Sequence, residues 1–312
     1  MTRTGAVPAP VRAKAVGFLR LGKARIYHHE YSWLLAVLLL RLDGHLGGRI
    51  APVLLLLLAV VLLQWSGGAA DDLGGFRDGS DARNYAGRPP RTRAKKPLVT
   101  GVLSESEAVV FGVVCWVGSV VAGLLAVVLV DGPVPWAAVA LLLVTQVAAV
   151  QYSTGLKTSY RPLGLELSIF GILGGLALTP YWIVAGGVTA EALLVSALFG
   201  LWFLMVVCHG NASDRRGDAA VSRRTLAVLL PPRGYDVVLC LLPVAGLALL
   251  TALFTTTRID TALAVAVVPV VVVQAVQLHA GVRRRDWRRA RFLGLVALDL
   301  GCLGLAAAIA LS

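Results

Sequence analysis

The chain has 312 residues, of which 57% are hydrophobic and 15% are charged, and its mean hydropathy is +0.79. Soluble domains usually contain about 45–50% apolar and about 25% charged residues. A chain this poor in polar side chains cannot cover a globule in water, so the composition excludes a soluble protein. The net charge of +12 does not indicate a nucleic-acid partner, because basic loops are what membrane topology requires.

Nine segments are apolar enough to cross a bilayer, which takes about 20 mainly apolar residues per helix. We place these segments at 24–43, 50–70, 106–130, 134–152, 163–182, 189–209, 235–255, 260–279 and 291–311. The sequence therefore predicts an all-α, polytopic membrane protein. We treat residues 1–312 as one integral membrane domain, which opens with a basic segment at 1–22. That segment lacks the short apolar stretch of a signal peptide.

Lysine and arginine are distributed unevenly between the two predicted sides. If the N-terminus is cytoplasmic, all but three of the 29 Lys and Arg residues fall on the cytoplasmic side, the exceptions being Arg41, Arg49 and Arg258. Such an excess predicts the orientation of the bundle. The two longest connections, at 71–105 and 209–234, then lie on the cytoplasmic side, and long loops tend to carry function.

Both of these connections contain a cluster of aspartates. The first cluster follows the second apolar segment and consists of Asp71, Asp72, Asp78 and Asp81. Carboxylates this close repel one another unless a cation lies among them. In the second cluster, Asp214 and Asp218 are four residues apart and share a helix face. Because both clusters are predicted on one side, they can meet across the end of the bundle.

This chemistry suits the binding of a diphosphate. Mg²⁺ prefers hard oxygen ligands and is usually held by one or two carboxylates together with substrate phosphates. We therefore take the six aspartates as candidate metal ligands, with Asp72, Asp81, Asp214 and Asp218 as the candidate catalytic set. Four cations near the motifs are candidate diphosphate ligands: Lys96, Lys157, Arg223 and Arg224. The alternative is that all of these are ordinary solvated charges, which the pairing of two acidic clusters on one side disfavours.

The motifs resemble those of the UbiA superfamily of intramembrane prenyltransferases. That family has an Asn-Asp-x-x-Asp-type motif after its second helix and an Asp-x-x-x-Asp motif after its sixth. The stretch from Asp72 to Asp81 is most similar to the menaquinone-type branch, which has a Gly-x-Asp insertion. The stretch from Asn211 to Asp218, followed by Arg223, closely resembles the second motif, and Lys96-Pro-Leu resembles an Arg-Pro-Leu segment between them.

The resemblance implies a nine-helix bundle with a central cavity. An isoprenyl diphosphate would bind with its head at the cytoplasmic end and its tail between helices that face membrane lipid. Mg²⁺ would assist ionisation, and an aromatic or quinoid acceptor would take the prenyl group. Residues implied to line the cavity or contact the acceptor are Tyr152, Tyr160, Glu166 and Asn211. Glu166 could equally be a structural hydrogen-bond partner. The resemblance assigns no function to three other polar residues in the apolar segments, His28, His29 and Asp299.

Two departures from the family pattern keep a second reaction open. The leading asparagine is Asp71 here, and the aspartate expected four residues later is Gly75. Membrane terpene cyclases related to UbiA often have Gly or Ala at that position, so Gly75 favours cyclisation, whereas the menaquinone-like context favours prenyl transfer. Asp71 or Asp78 could supply the missing carboxylate. A transporter is the weaker alternative, because the acidic residues cluster at one surface and no inverted repeat is evident.

Overall fold

The computed structural model describes residues 10–87 and 89–312, and the regular structure of these residues is entirely helical. The α-helices are α1 Val11–Leu21, α2 Glu30–Leu42, α3 Ile50–Arg77, α4 Ser80–Asn84, α5 Pro90–Arg93, α6 Glu105–Leu129, α7 Trp136–Gln151, α8 Gly164–Ala185, α9 Ala190–Ala220, α10 Leu226–Leu229, α11 Pro232–Thr256, α12 Val268–Leu278 and α13 Trp287–Leu311. A 3₁₀ turn, Thr261–Val267, precedes α12, and a π-helical turn, His279–Arg283, follows it.

Seven helical segments of the described chain are long and apolar enough to cross a membrane. They are α3, α6, α8, α9, α11, the segment Thr261–Arg283 that contains α12, and α13. The other two predicted spans correspond to shorter helices, α2 with 13 residues and α7 with 16 residues. The structure therefore confirms an all-helical described chain with seven candidate membrane spans but does not confirm a count of nine spanning helices.

The first predicted span, 24–43, is only partly α-helical. Regular α2 begins at Glu30, and the chain before it forms a turn and a 3₁₀ segment, Tyr27–His29. Gln64 of α3 binds two carbonyls of this irregular backbone, its Nε2 donating to Ile26 O at 2.6 Å and to Lys23 O at 3.3 Å. Irregular backbone is tolerated at membrane depth when protein groups satisfy it in this way.

The acidic motifs do not begin in loops, as the boundaries 71–105 and 209–234 implied. α3 continues to Arg77 and therefore carries Asp71 and Asp72, and α9 continues to Ala220 and carries Asp214 and Asp218. Extending an existing helix adds a backbone hydrogen bond for each residue fixed, so it costs far less than starting a new one. In each motif, a long helix therefore holds two of the aspartates near its end.

α9 lies at the centre of the bundle and fixes the position of the second motif. It packs against α8, α11 and α13, and most of its apolar stretch is buried within the protein. Its contact with α8 is close at Gly200, where an added Cβ would lie 2.7 Å from Phe170 O. α4, which carries Asp81, packs against both α3 and α9. The two motifs therefore lie at the same end of the bundle.

Candidate active site

Asp81 returns towards α3 because the chain reverses direction after that helix. Gly79 adopts a left-handed conformation with φ of +73°, and the Ser80 amide donates to Asp78 Oδ1 at 2.8 Å. The turn brings the buried Asp81 carboxylate over Gly75, so that a Cβ built on Gly75 would lie 2.7 Å from Asp81 Cγ. Glycine at residue 75 therefore leaves room for this carboxylate, and any larger residue would require it to move.

Lys96 joins the two ends of the first motif. Its Nζ lies 2.8 Å from Asp72 Oδ1 and 2.8 Å from Asp81 Oδ2. Burial lowers the pKa of Lys96, but the carboxylates of Asp72, Asp71 and Asp81 outweigh burial and raise it above its ordinary value. Burial raises the pKa of Asp81 despite this ion pair. The structure thus places Lys96, a predicted diphosphate ligand, within the carboxylate cluster.

Two residues that the sequence did not single out bind Asp71. Lys23 Nζ lies 2.6 Å from Asp71 Oδ2, and Ser153 Oγ donates to Asp71 Oδ1 at 3.1 Å. Lys23 also lies 3.9 Å from Asp72 Oδ1. In the sequence, Lys23 counts only as one of the cations that predict the orientation of the bundle. No sequence pattern connects Ser153 with Asp71, which is 82 residues away. Asp71 is therefore a paired carboxylate at the edge of the cluster.

Asp78 is held by the segments that follow α7 and α9. The Tyr160 hydroxyl donates to Asp78 Oδ2, and Arg223 lies 3.8 Å from the same oxygen. Burial raises the pKa of Asp78, but hydrogen bonds from Tyr160 and Ser80 keep it below its ordinary value. The Arg223 guanidinium also lies 5.1 Å from the centre of the Tyr160 ring. Arg223 thus connects the first motif with the segment behind the second motif.

The two aspartates of the second motif differ in exposure. Asp218 is 6% exposed, whereas Asp214 is exposed and accepts a hydrogen bond from Ser213 Oγ at 3.0 Å. Asp218 is therefore the buried member of the second motif, on the helix α9 that α4 of the first motif contacts.

The remaining predicted residues divide into buried and exposed sets. Glu166 is buried, and its Oε1 accepts the Leu226 amide at 2.8 Å, which supports the structural interpretation of this residue. Asn211 is buried, and its Nδ2 has no hydrogen-bond partner among the described residues. Lys157 and Arg224 are exposed, and the Lys157 ammonium lies 5.2 Å from the Tyr160 ring centre.

The donor set fits magnesium bound together with a substrate. Among residues 10–87 and 89–312, no group of three or more His, Cys, Asp or Glu side chains is arranged to hold a metal ion by itself. Mg²⁺ does not need such a cage, because waters and substrate phosphates usually complete its octahedron. The Asp72 Oδ1 and Asp81 Oδ2 atoms are hard oxygen donors on buried residues, and Lys96 Nζ is the cation that pairs with both of them, each at 2.8 Å.

Comparison with known proteins decides the family. The sequence profile of the UbiA prenyltransferase family matches residues 32–296. The chain belongs to the UbiA prenyltransferase family. Comparison with curated protein sequences gave no match.

Solved structures share the fold of this UbiA-family chain. A UbiA homologue from Archaeoglobus fulgidus bound to DMAPP and Mg²⁺ superposes with a TM-score of 0.64 at 13% identity, over 92% of this chain and 98% of the homologue. A UbiA homologue from Aeropyrum pernix K1 has a TM-score of 0.67 at 20% identity, over 91% and 98% of the two chains. A digeranylgeranylglyceryl phosphate synthase has a TM-score of 0.67 at 12% identity, over 96% and 99%.

Proposed function

We propose that this UbiA-family protein uses Mg²⁺ to ionise an isoprenyl diphosphate and transfers the prenyl group to an aromatic, quinoid or other lipophilic acceptor. The observation that carries the proposal is the position of Asp81 over Gly75. The aspartate that the family motif has at position 75 is absent from the sequence, but a carboxylate occupies the corresponding space. The relative from A. fulgidus binds DMAPP or GPP together with Mg²⁺, which supports the same ligands here.

Different residues of the site would bind the metal ion and the diphosphate. Asp72, Asp81 and Asp218 would hold Mg²⁺, which supplies electrostatic stabilisation of the diphosphate as the allylic carbon–oxygen bond breaks. The bonding electrons leave with the diphosphate, and Lys96 and Arg223 bind its oxygens. Lys23 would hold Asp71 in position beside them. The acceptor then attacks the allylic cation and loses a proton.

The helices provide the dry environment that such a cation needs, since water would quench it. We propose that the prenyl chain lies between α-helices below the carboxylates, with the diphosphate at the end of the bundle that carries both motifs. The excess of Lys and Arg in the connections at that end supports a cytoplasmic location for it. The acceptor would then reach the cation from within the bundle.

Cyclisation of the diphosphate alone is the second candidate, and Gly75 is the observation that favours it. Asp81 weakens this argument because it restores a carboxylate at that point. The two reactions differ in whether an acceptor is needed. A cyclase would require only a closed apolar pocket and a prenyl diphosphate.

Product analysis separates the two reactions. Purified protein and Mg²⁺ are incubated with isoprenyl diphosphates of increasing length, with and without a hydroxylated aromatic acceptor, and products are identified by mass spectrometry. We expect a prenylated acceptor, formed by the wild type and not by Asp81→Ala. Cyclic hydrocarbons or terpene alcohols that form without acceptor would overturn prenyl transfer in favour of cyclisation.

A further inference from the structure

A cavity of about 170 Å³ lies at the end of the bundle that carries both motifs. It lies where two of the candidate membrane spans, α11 and α13, begin, and α9 and α10 complete its walls. The polar and aromatic side chains that line it are Arg215, Tyr235, Asp236, Arg285 and Trp287. The proposed diphosphate site uses none of these residues, so the cavity is a separate feature of the same end of the protein.

The side chains that line this cavity favour an anionic ligand. Its charged groups are the guanidinium groups of Arg215 and Arg285 and the carboxylate of Asp236. Arg285 neutralises that carboxylate, because its two terminal nitrogens lie 2.5 Å and 2.7 Å from the two oxygens of Asp236. Arg215 donates to a neutral acceptor, Leu230 O, at 2.9 Å. No carboxylate in the wall of the cavity therefore compensates the charge of Arg215.

The chain around the cavity adds further positive charge. Four exposed arginines are next in sequence to residues that line it: Arg216, Arg233, Arg284 and Arg288. Two aspartates are also neighbours, but Asp214 accepts a hydrogen bond from Ser213, and Asp286 caps α13 by accepting the Arg289 amide at 3.1 Å. Clusters of basic residues next to a membrane span are typical of sites for anionic lipid head groups.

Trp287 and the apolar surface of α11 favour a lipid over a soluble anion. Trp287 is the first residue of α13, and its ring centre lies 5.5 Å from the Arg285 guanidinium. Tryptophan is enriched where membrane meets water. Further along α11, Val237, Leu241 and Val244 are 57%, 59% and 62% exposed, and their spacing places them on one helix face. A lipid with its phosphate in the cavity would have this apolar face beside its acyl chains.

We propose that this cavity binds the phosphodiester head group of an anionic glycerophospholipid. Arg215 and Arg285 donate to the phosphate oxygens, and the acyl chains lie along the exposed face of α11. A guanidinium has five N–H donors, and Arg285 uses two nitrogens on Asp236, so it retains donors for the phosphate. The binding does not depend on turnover, so this inference and the proposed function fail separately.

Lipid binding to the purified protein tests the site. The full-length protein in neutral detergent micelles is titrated with dioleoyl phosphatidylglycerol and, in parallel, with dioleoyl phosphatidylcholine, whose head group has no net charge. Native mass spectrometry counts the bound lipid. We expect a single phosphatidylglycerol to bind to the wild type at concentrations at which phosphatidylcholine does not. Arg215→Gln should weaken this binding by about fivefold or more, which is the contribution of a basic residue near an anionic head group.

Two further variants separate the cavity from general electrostatic attraction. Arg93→Gln removes an exposed arginine of α5 that does not line the cavity, and it should bind phosphatidylglycerol like the wild type. Arg285→Gln should weaken binding more than Arg215→Gln, because it also leaves the Asp236 carboxylate without its cation beside the phosphate.

Equal affinity of the wild type for the two lipids would overturn the inference. An equal loss of phosphatidylglycerol binding in Arg93→Gln and Arg215→Gln would also overturn it, because the attraction would then not belong to the cavity. Inorganic phosphate provides the last comparison. If it displaces bound phosphatidylglycerol at an equal concentration, the cavity binds a soluble anion, and the assignment to a lipid is wrong.

Discussion

Asp81 lies over Gly75 so closely that a Cβ on residue 75 would come within 2.7 Å of Asp81 Cγ and 2.8 Å of Oδ2. Contacts below about 3 Å are essentially never seen for real Cβ atoms, so a side chain on residue 75 would require the Asp81 carboxylate to move. A carboxylate from the neighbouring helix α4 thus lies next to the position where the first motif lacks its aspartate. This substitution in space is the basis for assigning an intact diphosphate site to a chain whose motif is incomplete in sequence.

Restoring the family aspartate alone should damage the site. We expect Gly75→Asp to displace Asp81 and to lower both turnover and stability, with a cost of about 1–3 kcal/mol in the free energy of unfolding, as is typical of overpacking. The double variant Gly75→Asp with Asp81→Gly should recover activity relative to Gly75→Asp, because one carboxylate then remains in the shared space. Gly171→Ala, a glycine of α8 with no atom within 4 Å of an added Cβ, is the matched control. Equal activity of Gly75→Asp and the wild type would contradict this account.

Removing Lys96 should make the protein dependent on magnesium for stability. Lys96→Gln leaves Asp72 and Asp81 without their shared cation, and breaking a buried ion pair typically costs about 3–5 kcal/mol. Mg²⁺ bound between these carboxylates would stabilise the folded state in return. We expect Mg²⁺ to raise the Tm of Lys96→Gln by more than that of the wild type. Lys95→Gln, which changes the exposed neighbour, should respond like the wild type. An equal Mg²⁺ response in all three proteins would argue against metal binding at Asp72 and Asp81.

The two aspartates of the second motif should differ in importance. Asp218 is buried, whereas Asp214 is exposed and paired with Ser213. We expect Asp218→Asn to lower kcat by about 100-fold or more, as loss of a group that stabilises the leaving charge does. Asp214→Asn should have the smaller effect, and both variants should keep wild-type thermal stability to within a few degrees. A larger loss of kcat in Asp214→Asn would reverse this assignment.

Two adjacent arginines, one close to Asp78 and one exposed, allow a similar comparison of two variants. Arg223 lies 3.8 Å from Asp78 and stacks on Tyr160, whereas Arg224 is exposed. Arg223→Gln should weaken binding of the prenyl diphosphate, because a charge-assisted hydrogen bond to an oxygen of the leaving group is lost. Arg224→Gln should change this affinity by less than about threefold, as expected for an exposed charge. Diphosphate KM values of the two variants measure the difference.

Much of the fold follows from the sequence because apolar runs of membrane length have few alternatives. The predictions from sequence fail where the backbone departs from regular helical geometry. The first predicted span counts residues 24–29 within a helix although Arg25, His28 and His29 lie there, and the backbone departs from α-helical structure where Gln64 donates to the carbonyls of Lys23 and Ile26. Nothing in the sequence pairs Gln64 with residues about 40 positions away.

The acidic residues of the site could be predicted from their spacing, but their partners could not. Asp72, Asp81 and Asp218 stand out as clustered charges in an apolar chain. Lys23 is one cation among many in a basic N-terminal segment, and its contact with Asp71 depends on how α1 turns into α2. Likewise, the contact between Gly75 and Asp81 depends on the turn at Gly79, and the sequence shows Gly79 only as part of the Gly-x-Asp insertion.

The central claim is that the two motifs form one magnesium-dependent diphosphate site. Isothermal titration with the non-reacting analogues geranyl and farnesyl thiolodiphosphate, with and without Mg²⁺, tests it most directly. We predict saturable binding to the wild type only when Mg²⁺ is present. In both Asp81→Asn and Asp218→Asn the affinity should fall by about tenfold or more, because each variant removes one ligand of a shared site. Binding that needs no Mg²⁺, or that is unchanged in either variant, would contradict the claim.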